Sequence, residues 1–174
     1  MQDISAIVAA HGDRVWRIAI RLLNHEEDAQ DCYQQTFLDA LRLRGETVAN
    51  WGSLLANIAT RRAMDRLRKR YRERTAFAAA EVEPVGESPP DGRLLGDELR
   101  QRIRATLARL PEKQAEAFWL RHVEDFATED VARHLNVRPS HVRVLVHRAV
   151  QQLRTALTPI YGLEVTQGEG NDRK

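Results

Sequence analysis

The sequence predicts an all-α protein: two small helical domains joined by a flexible linker, the second containing a helix-turn-helix. Three observations carry this. Apolar residues recur at spacings of three and four through seven stretches, and no alternating strand pattern occurs to flank a hairpin turn. Between Phe77 and Asp97 the periodicity stops. There the acidic segment EVEPVGESPPDG holds three of the six prolines with Gly and Ser, a composition that buries too little apolar area to order itself. Finally, Thr128–Leu157 reads as a short helix, a tight turn and a longer helix.

The expected helices are Ile4–Asn24, Glu27–Arg44, Asn50–Arg74, Leu94–Leu110, Glu112–Val123, Thr128–Leu135 and Pro139–Leu157. The first turns Ile4, Ile7, Val8, Val15, Ile18, Ala19 and Leu22 inward, and the second Ala29, Tyr33, Phe37, Ala40 and Leu41. In the third, Ile58, Met64 and Leu67 face in, while Arg62, Arg66 and Lys69 share another face. Thr128 supplies a hydroxyl N-cap, followed by Glu129 and Asp130, which suit the positive end of the helix dipole. Val131, Ala132 and Leu135 form the short stripe behind them. Asn136-Val137 is the turn, because Asn tolerates a left-handed backbone, and Pro139 fits a first helical position. In the last helix Val142, Val146, Ala149, Leu153 and Ala156 form the buried face, leaving Ser140, His141, Arg143, Val144, His147 and Arg148 off it. A basic, hydrogen-bonding outer face on the second helix of such a pair is the layout of a duplex-DNA reader. The resulting division is residues 1–76, a linker 77–97, a second domain 98–161 and a polar, Gly-rich tail 162–174.

Composition narrows the function further. The 174 residues are 43% hydrophobic and 30% charged, which is globular, and no apolar run approaches membrane-spanning length. The N-terminus lacks the basic-then-apolar plan of a signal peptide, and the single Cys32 fits a reducing cytoplasm. Net charge is only +2, but its distribution is uneven. Glu26, Glu27, Asp28 and Asp31 form an acidic cluster. Arg61, Arg62, Arg66, Arg68, Lys69, Arg70, Arg72 and Arg74 form a basic block against only Asp65 and Glu73, an electrostatic footprint for phosphates.

Enzymatic signatures are missing. No Ser, Cys or Thr has a recognisable companion base, and no Gly-rich loop follows a strand. Cys32 sits in an acidic helix, whose carboxylates raise a thiol pKa, so a reactive thiolate is not expected. His134, His141 and His147 lack metal-ligand spacing and a Cys pair; His141 and His147 fall on the DNA-facing side and His134 on the surface. No metal or cofactor is expected.

Three segments together resemble a known family. Asp28–Leu41, DAQDCYQQTFLDAL, is similar to the DAEDLVQETFLRAW-type segment of bacterial sigma factors. Trp51–Arg70, WGSLLANIATRRAMDRLRKR, is similar to their FRAWLYRIARNRAIDLLRRR-type segment, and Leu107–Leu157 resembles their C-terminal promoter-reading domain. Two domains and a short linker match the extracytoplasmic-function (ECF) group. Departures are Leu54 and Arg61 in the second segment, Gln30 and Gln35 in the first, and Arg138-Pro139-Ser140-His141, Val144 and Leu145 at the recognition helix.

The resemblance implies a cytoplasmic, non-enzymatic sigma factor that binds core RNA polymerase and promoter DNA and is sequestered by an anti-sigma protein. It implies polymerase docking by Asp28, Asp31, Gln34, Gln35 and Phe37. It implies −10 element recognition and melting by Asn50, Arg61, Arg62, Arg66 and Lys69, with Trp51 read as a core residue. The −35 element would fall to Arg138, Ser140, His141, Arg143, Val144, His147 and Arg148. Two other readings stand beside it: a helix-turn-helix regulator that binds duplex DNA without polymerase, and a helical nucleic-acid hydrolase. The regulator leaves the acidic and basic segments unexplained; the hydrolase needs a second carboxylate pair.

Overall fold

The computed structural model describes residues 4–42, 48–78 and 92–161. Among them run seven helices and no strand: α1 (Ile4–Leu23), α2 (Glu26–Arg42), α3 (Trp51–Ala78), α4 (Gly92–Arg109), α5 (Glu112–His122), α6 (Thr128–Leu135) and α7 (Pro139–Tyr161). Every expected helix is present. The main differences are at the linker: α3 runs past Arg74 to Ala78 and α4 begins at Gly92, so helix takes both ends of the expected 77–97 segment. Arg, Glu, Ala and Leu at those ends are good helix formers, and the prolines lie between them. The middle of the linker and the tail lie outside the described residues.

The first three helices pack on one another. Ile7, Val15, Ile18, Ala19 and Leu22 of α1 meet Ala29, Phe37 and Ala40 of α2 and Leu55, Met64 and Leu67 of α3. Ala56, Ala59 and Ala63 keep the buried side of α3 thin, which brings its neighbours close. Gly12 does the same for α1: a Cβ there would stand 2.8 Å from the Tyr33 hydroxyl. The α2 stripe is more polar than its apolar spacing suggests, because Cys32 and Thr36 are buried too. The Thr36 hydroxyl donates to the Cys32 carbonyl at 2.7 Å, and the Cys32 thiol donates to the Ala59 carbonyl at 3.7 Å.

In the second group Leu107 of α4, Ala115, Ala117 and Leu120 of α5, and Val131 and Leu135 of α6 close over Val142, Leu145, Ala149 and Leu153 of α7. The groups touch where α3 packs on α4 and α5. Arg14 of α1 adds a strap: it bonds Glu124 at 3.1 Å and lies 5.1 Å over the Phe126 ring. Polar atoms complicate this junction. Six buried side-chain atoms have no hydrogen-bond partner among the described residues, and all belong to α3 (Asn57, Thr60, Arg68) or α5 (Gln114, Glu116, Trp119).

Candidate nucleic-acid interface

The turn between α6 and α7 sets the geometry of the exposed face. Asn136 adopts φ 50° and ψ 54°, the left-handed region that Asn enters more readily than most residues. Its N–H closes on α6 carbonyls, and the Val137 N–H donates to Ala132 at 3.0 Å, so the chain reverses without an unpaired donor. The Arg138 carbonyl then accepts from His141 and Val142, at 2.9 and 3.2 Å, and Pro139 occupies the first helical position. The start of α6 differs from expectation. Its capping residue is Ala127, whose carbonyl accepts from Asp130 and Val131, so the Thr128 hydroxyl lies one position too late to cap and makes no cap bond.

On α7 the buried residues Val142, Leu145, Ala149 and Leu153 oppose an exposed arc of Ser140, His141, Arg143, Val144, His147 and Arg148, and Arg138 stands exposed at its head. Val144 is 41% exposed, high for an apolar side chain, and joins Val137, Arg138, Ser140 and His141 around a shallow depression. All seven candidates for the −35 element are therefore brought together. No ion pair among the described residues reaches Arg138, Arg143 or Arg148. Gln151 and Arg154, also exposed, continue the arc at +4 and +7 from His147, a helical spacing the sequence reading did not follow far enough.

The basic block on α3 behaves differently, because six of its eight cations have a carboxylate partner among the described residues. Arg62 bonds Asp39 through Nε at 2.7 Å. Arg66 spans Asp28 at 3.2 Å and Asp31 at 2.8 Å, and Arg70 reaches Asp28 at 3.1 Å. Lys69 pairs along its own helix with Glu73 at 3.9 Å. Arg61 does not join Arg62, Arg66 and Lys69: one residue is a 100° turn, and its guanidinium faces Glu112 of α5 at 3.8 Å. Arg68 is turned inward, 16% exposed, against Asp65 at 3.4 Å, and so leaves the expected phosphate footprint. Asn50 is exposed, and its side-chain oxygen accepts from the Ser53 N–H at 2.9 Å; it caps α3. Trp51 packs partly buried against the core.

The candidate docking face on α2 is thus half engaged within the chain. Asp31, Gln34 and Gln35 are exposed, whereas Asp28 sits between His25, Arg66 and Arg70. Phe37 leaves this face: it is 7% exposed, 5.0 Å from the Tyr33 ring, and belongs to the core. In its place stands Leu38, 47% exposed, one turn on from Gln34 and Gln35 and off the Ala29-Tyr33-Phe37 stripe. That offset from the stripe was the available signal.

Burial governs the remaining titratable groups. Burial pushes the Cys32 thiol up to about 11, while Thr36 and the Arg66 and Arg62 charges pull the other way; solvent exclusion, not neighbouring acids, makes it inert. The Glu116 carboxyl is pushed up to about 7, first by burial and then by Glu112, against the pull of Arg61 and Arg68. His134 is not a surface residue. It is half-buried 3.8 Å from Glu116, and burial followed by the Arg61 charge lowers its pKa.

Known proteins share this arrangement. Residues 7–73 match the family described as Sigma-70 region 2, and residues 100–153 match Sigma-70 region 4. The chain is 31% identical over 165 residues to the ECF RNA polymerase sigma factor SigE of Mycolicibacterium smegmatis, covering 90% of this chain but only 62% of that relative. It is 30% identical over 155 residues to the RNA polymerase sigma factor CarQ of Myxococcus xanthus, covering 87% of each. Its fold is similar to that of the sigma factor RpoE in complex with the anti-sigma factor NepR from Bartonella quintana, with TM-score 0.59 and 24% identity over 91% of this chain and 98% of that one.

Proposed function

Because the chain belongs to the ECF group of RNA polymerase sigma factors, we propose that it binds core RNA polymerase and directs it to a subset of promoters. The observation that carries this is the order of parts in one chain. A docking helix with exposed Asp31, Gln34, Gln35 and Leu38 is followed by the basic α3, and then by a helix-turn-helix whose α7 cations are unpaired among the described residues. A stand-alone DNA-binding regulator needs only the last of these.

In this reading α7 enters the major groove with Ser140, His141, Arg143 and Val144 at base edges, while Arg138, His147 and Arg148 approach the flanking backbone. A Val144 methyl suits the thymine methyl, and an Arg fork suits guanine. Arg62, Arg66 and Lys69 follow the −10 strand, with Asn50 at the head of the helix. Strand opening costs a few kcal/mol per unstacked base, which binding free energy offsets. Arg62 and Arg66 must exchange carboxylate partners for phosphates, so this contact is intrinsically weaker than the α7 one.

The chain performs no chemistry of its own; bond formation belongs to the polymerase. Its proposed place is the cytoplasm, with the polymerase and promoter DNA it would serve; among the described residues no helix is long and apolar enough to cross a membrane. An anti-sigma protein holds it inactive, by analogy with the RpoE–NepR complex. Run-off transcription with core polymerase on a genomic fragment pool tests the whole reading. Discrete start sites dependent on this chain are expected; duplex binding without any polymerase-dependent transcript favours the stand-alone regulator instead.

A further inference from the structure

A cavity of about 400 Å³ opens where the end of α1 meets α3 and α4. Leu67, Arg70, Tyr71 and Arg74 line it from α3 at helical spacing, and Asp97, Gln101 and Arg104 line it from α4. Leu23 and Asn24 close the third side. None of the lining residues is among those assigned to polymerase docking or promoter contact, although Arg70 and Arg74 belong to the basic block of α3 and Arg70 pairs with Asp28.

Its charge is unbalanced. Arg70 is fixed in place, donating to the Leu23 carbonyl at 3.1 Å and paired with Asp28 at 3.1 Å. Asp97, the acid in the lining, is bonded by Arg100 at 2.9 Å. Among the described residues no hydrogen bond or ion pair is made by the guanidinium of Arg104 or of Arg74. Arg104 is half-buried; burial and then the Arg100 charge move its pKa below the ordinary value, while Asp97 pulls the other way. Asp97 is the one acid in the lining and already serves Arg100, so Arg70, Arg74 and Arg104 face a single shared carboxylate, and an anion in the cavity would supply the missing counter-charge. Amide and hydroxyl donors from Asn24, Gln101 and Tyr71 stand around it.

We propose that this cavity is an anion site that takes two or more linked phosphate groups, with Arg70, Arg74 and Arg104 as its cationic wall. The chemistry favours phosphate over carboxylate. Guanidinium forks from two facing helices need an anion with acceptor oxygens on several sides, which a tetrahedral phosphate has and a planar carboxylate lacks. The volume exceeds that of a single phosphate, so a chain of them fits better. Such groups have two sources, the backbone of nucleic acid and a free oligophosphate such as that of a nucleotide.

Isothermal titration calorimetry of the full chain with inorganic tripolyphosphate tests this at about 0.15 M salt, where diffuse attraction is screened. Saturable one-to-one binding is expected. Arg104→Gln should weaken it by about tenfold or more, the worth of a charge-assisted hydrogen bond. Arg102→Gln removes the same charge two residues away, outside the cavity lining, and should change affinity less than about twofold. Arg74→Gln, at an exposed position, carries the same expectation as Arg104→Gln and keeps the test decisive should Arg104→Gln melt early. Competition with a single-stranded oligonucleotide separates the sources. Displacement of tripolyphosphate assigns the site to nucleic-acid backbone; simultaneous binding assigns it to a free oligophosphate. No saturable heat, or equal loss in the Arg102 and Arg104 variants, overturns the proposal. Transcription by the same preparation is a separate readout, so failure here leaves the sigma-factor reading untouched.

Discussion

Arg66 Nη2 of α3 lies 2.8 Å from Asp31 Oδ2 of α2. A candidate DNA-binding cation and a candidate docking carboxylate therefore neutralise each other across two helices. The pair is exposed, 33% and 60% for the two side chains, so it contributes at most about 1 kcal/mol to folding. Its weight falls on binding, where either partner must be won from the other.

Asp31→Arg is accordingly expected to leave the helical content intact and the unfolding free energy within about 1 kcal/mol of the parent. Like charge placed across an interface costs several kcal/mol, so capture of core polymerase should fall sharply. A pull-down paired with a thermal melt measures both. Full capture by the folded variant removes Asp31 from the docking face.

Leu38→Ser tests the apolar part of the same face. Because Leu38 is 47% exposed, its loss should shift stability by no more than about 0.5 kcal/mol. Polymerase affinity should drop several-fold, read by the same pull-down. Phe37→Ser is the contrast: Phe37 is core, and that variant should lose several kcal/mol of stability.

On α7, Arg143→Ala should relax sequence preference at the −35 element, whereas Arg148→Ala should weaken binding nearly uniformly. An Arg fork on guanine discriminates by about 1–3 kcal/mol, and one lost phosphate contact lowers the salt slope by about one unit. Competition on a randomised −35 library at two salt concentrations distinguishes these. The opposite pattern would mean the assigned register of α7 in the groove is wrong.

Glu116 makes folding depend on pH with a definite sign. Its folded pKa, about 7, lies above its ordinary 4.5, so its contribution is fully present below 4.5 and is lost as pH rises through 7. His134 acts oppositely: its lowered pKa makes folding cost more as pH falls below its ordinary 6.5. Glu116→Gln should therefore stabilise the protein at pH 8 by roughly 1–3 kcal/mol and leave pH 5 little changed. Thermal melts across that range check it; an equal change at both ends contradicts the assignment.

Cys32 should resist thiol-directed reagents in the native protein. Its thiol sits at about 11 and its side chain is buried, so thiolate is scarce and shielded. Labelling should accelerate by orders of magnitude on unfolding in denaturant, followed optically. Rapid native labelling would show α2 lifting away from α3.

Local signals made the helix-turn-helix legible. Asn136 and Pro139 mark the turn by backbone chemistry, and the period of α7 separates its outer arc from its core. The roles on α3 were harder to read, because its ion pairs to other helices join residues 23 to 51 positions apart in sequence. A run of cations looks alike whether it faces phosphate or, as with Arg66, a neighbouring helix. Arg61, Arg68 and His134 were misplaced for the same reason: each answers to a partner on another element or to burial, neither of which spacing encodes. The Thr128 cap failed by one residue, the usual margin for helix ends.

The polar atoms stranded on α3 and α5 bear on how the two halves part. A dry, fully bonded seam resists prising because every ångström of separation exposes oil to water. Here Glu116 Oε1 and Arg68 Nη2, both buried without a hydrogen-bond partner among the described residues, would regain hydration once water enters between the helices. Rehydration returns part of the work of opening, so separating the halves should take less work than their contact area implies. A reader of two separate stretches of promoter gains reach from such a joint, since the distance between its two grips is not frozen in by folding.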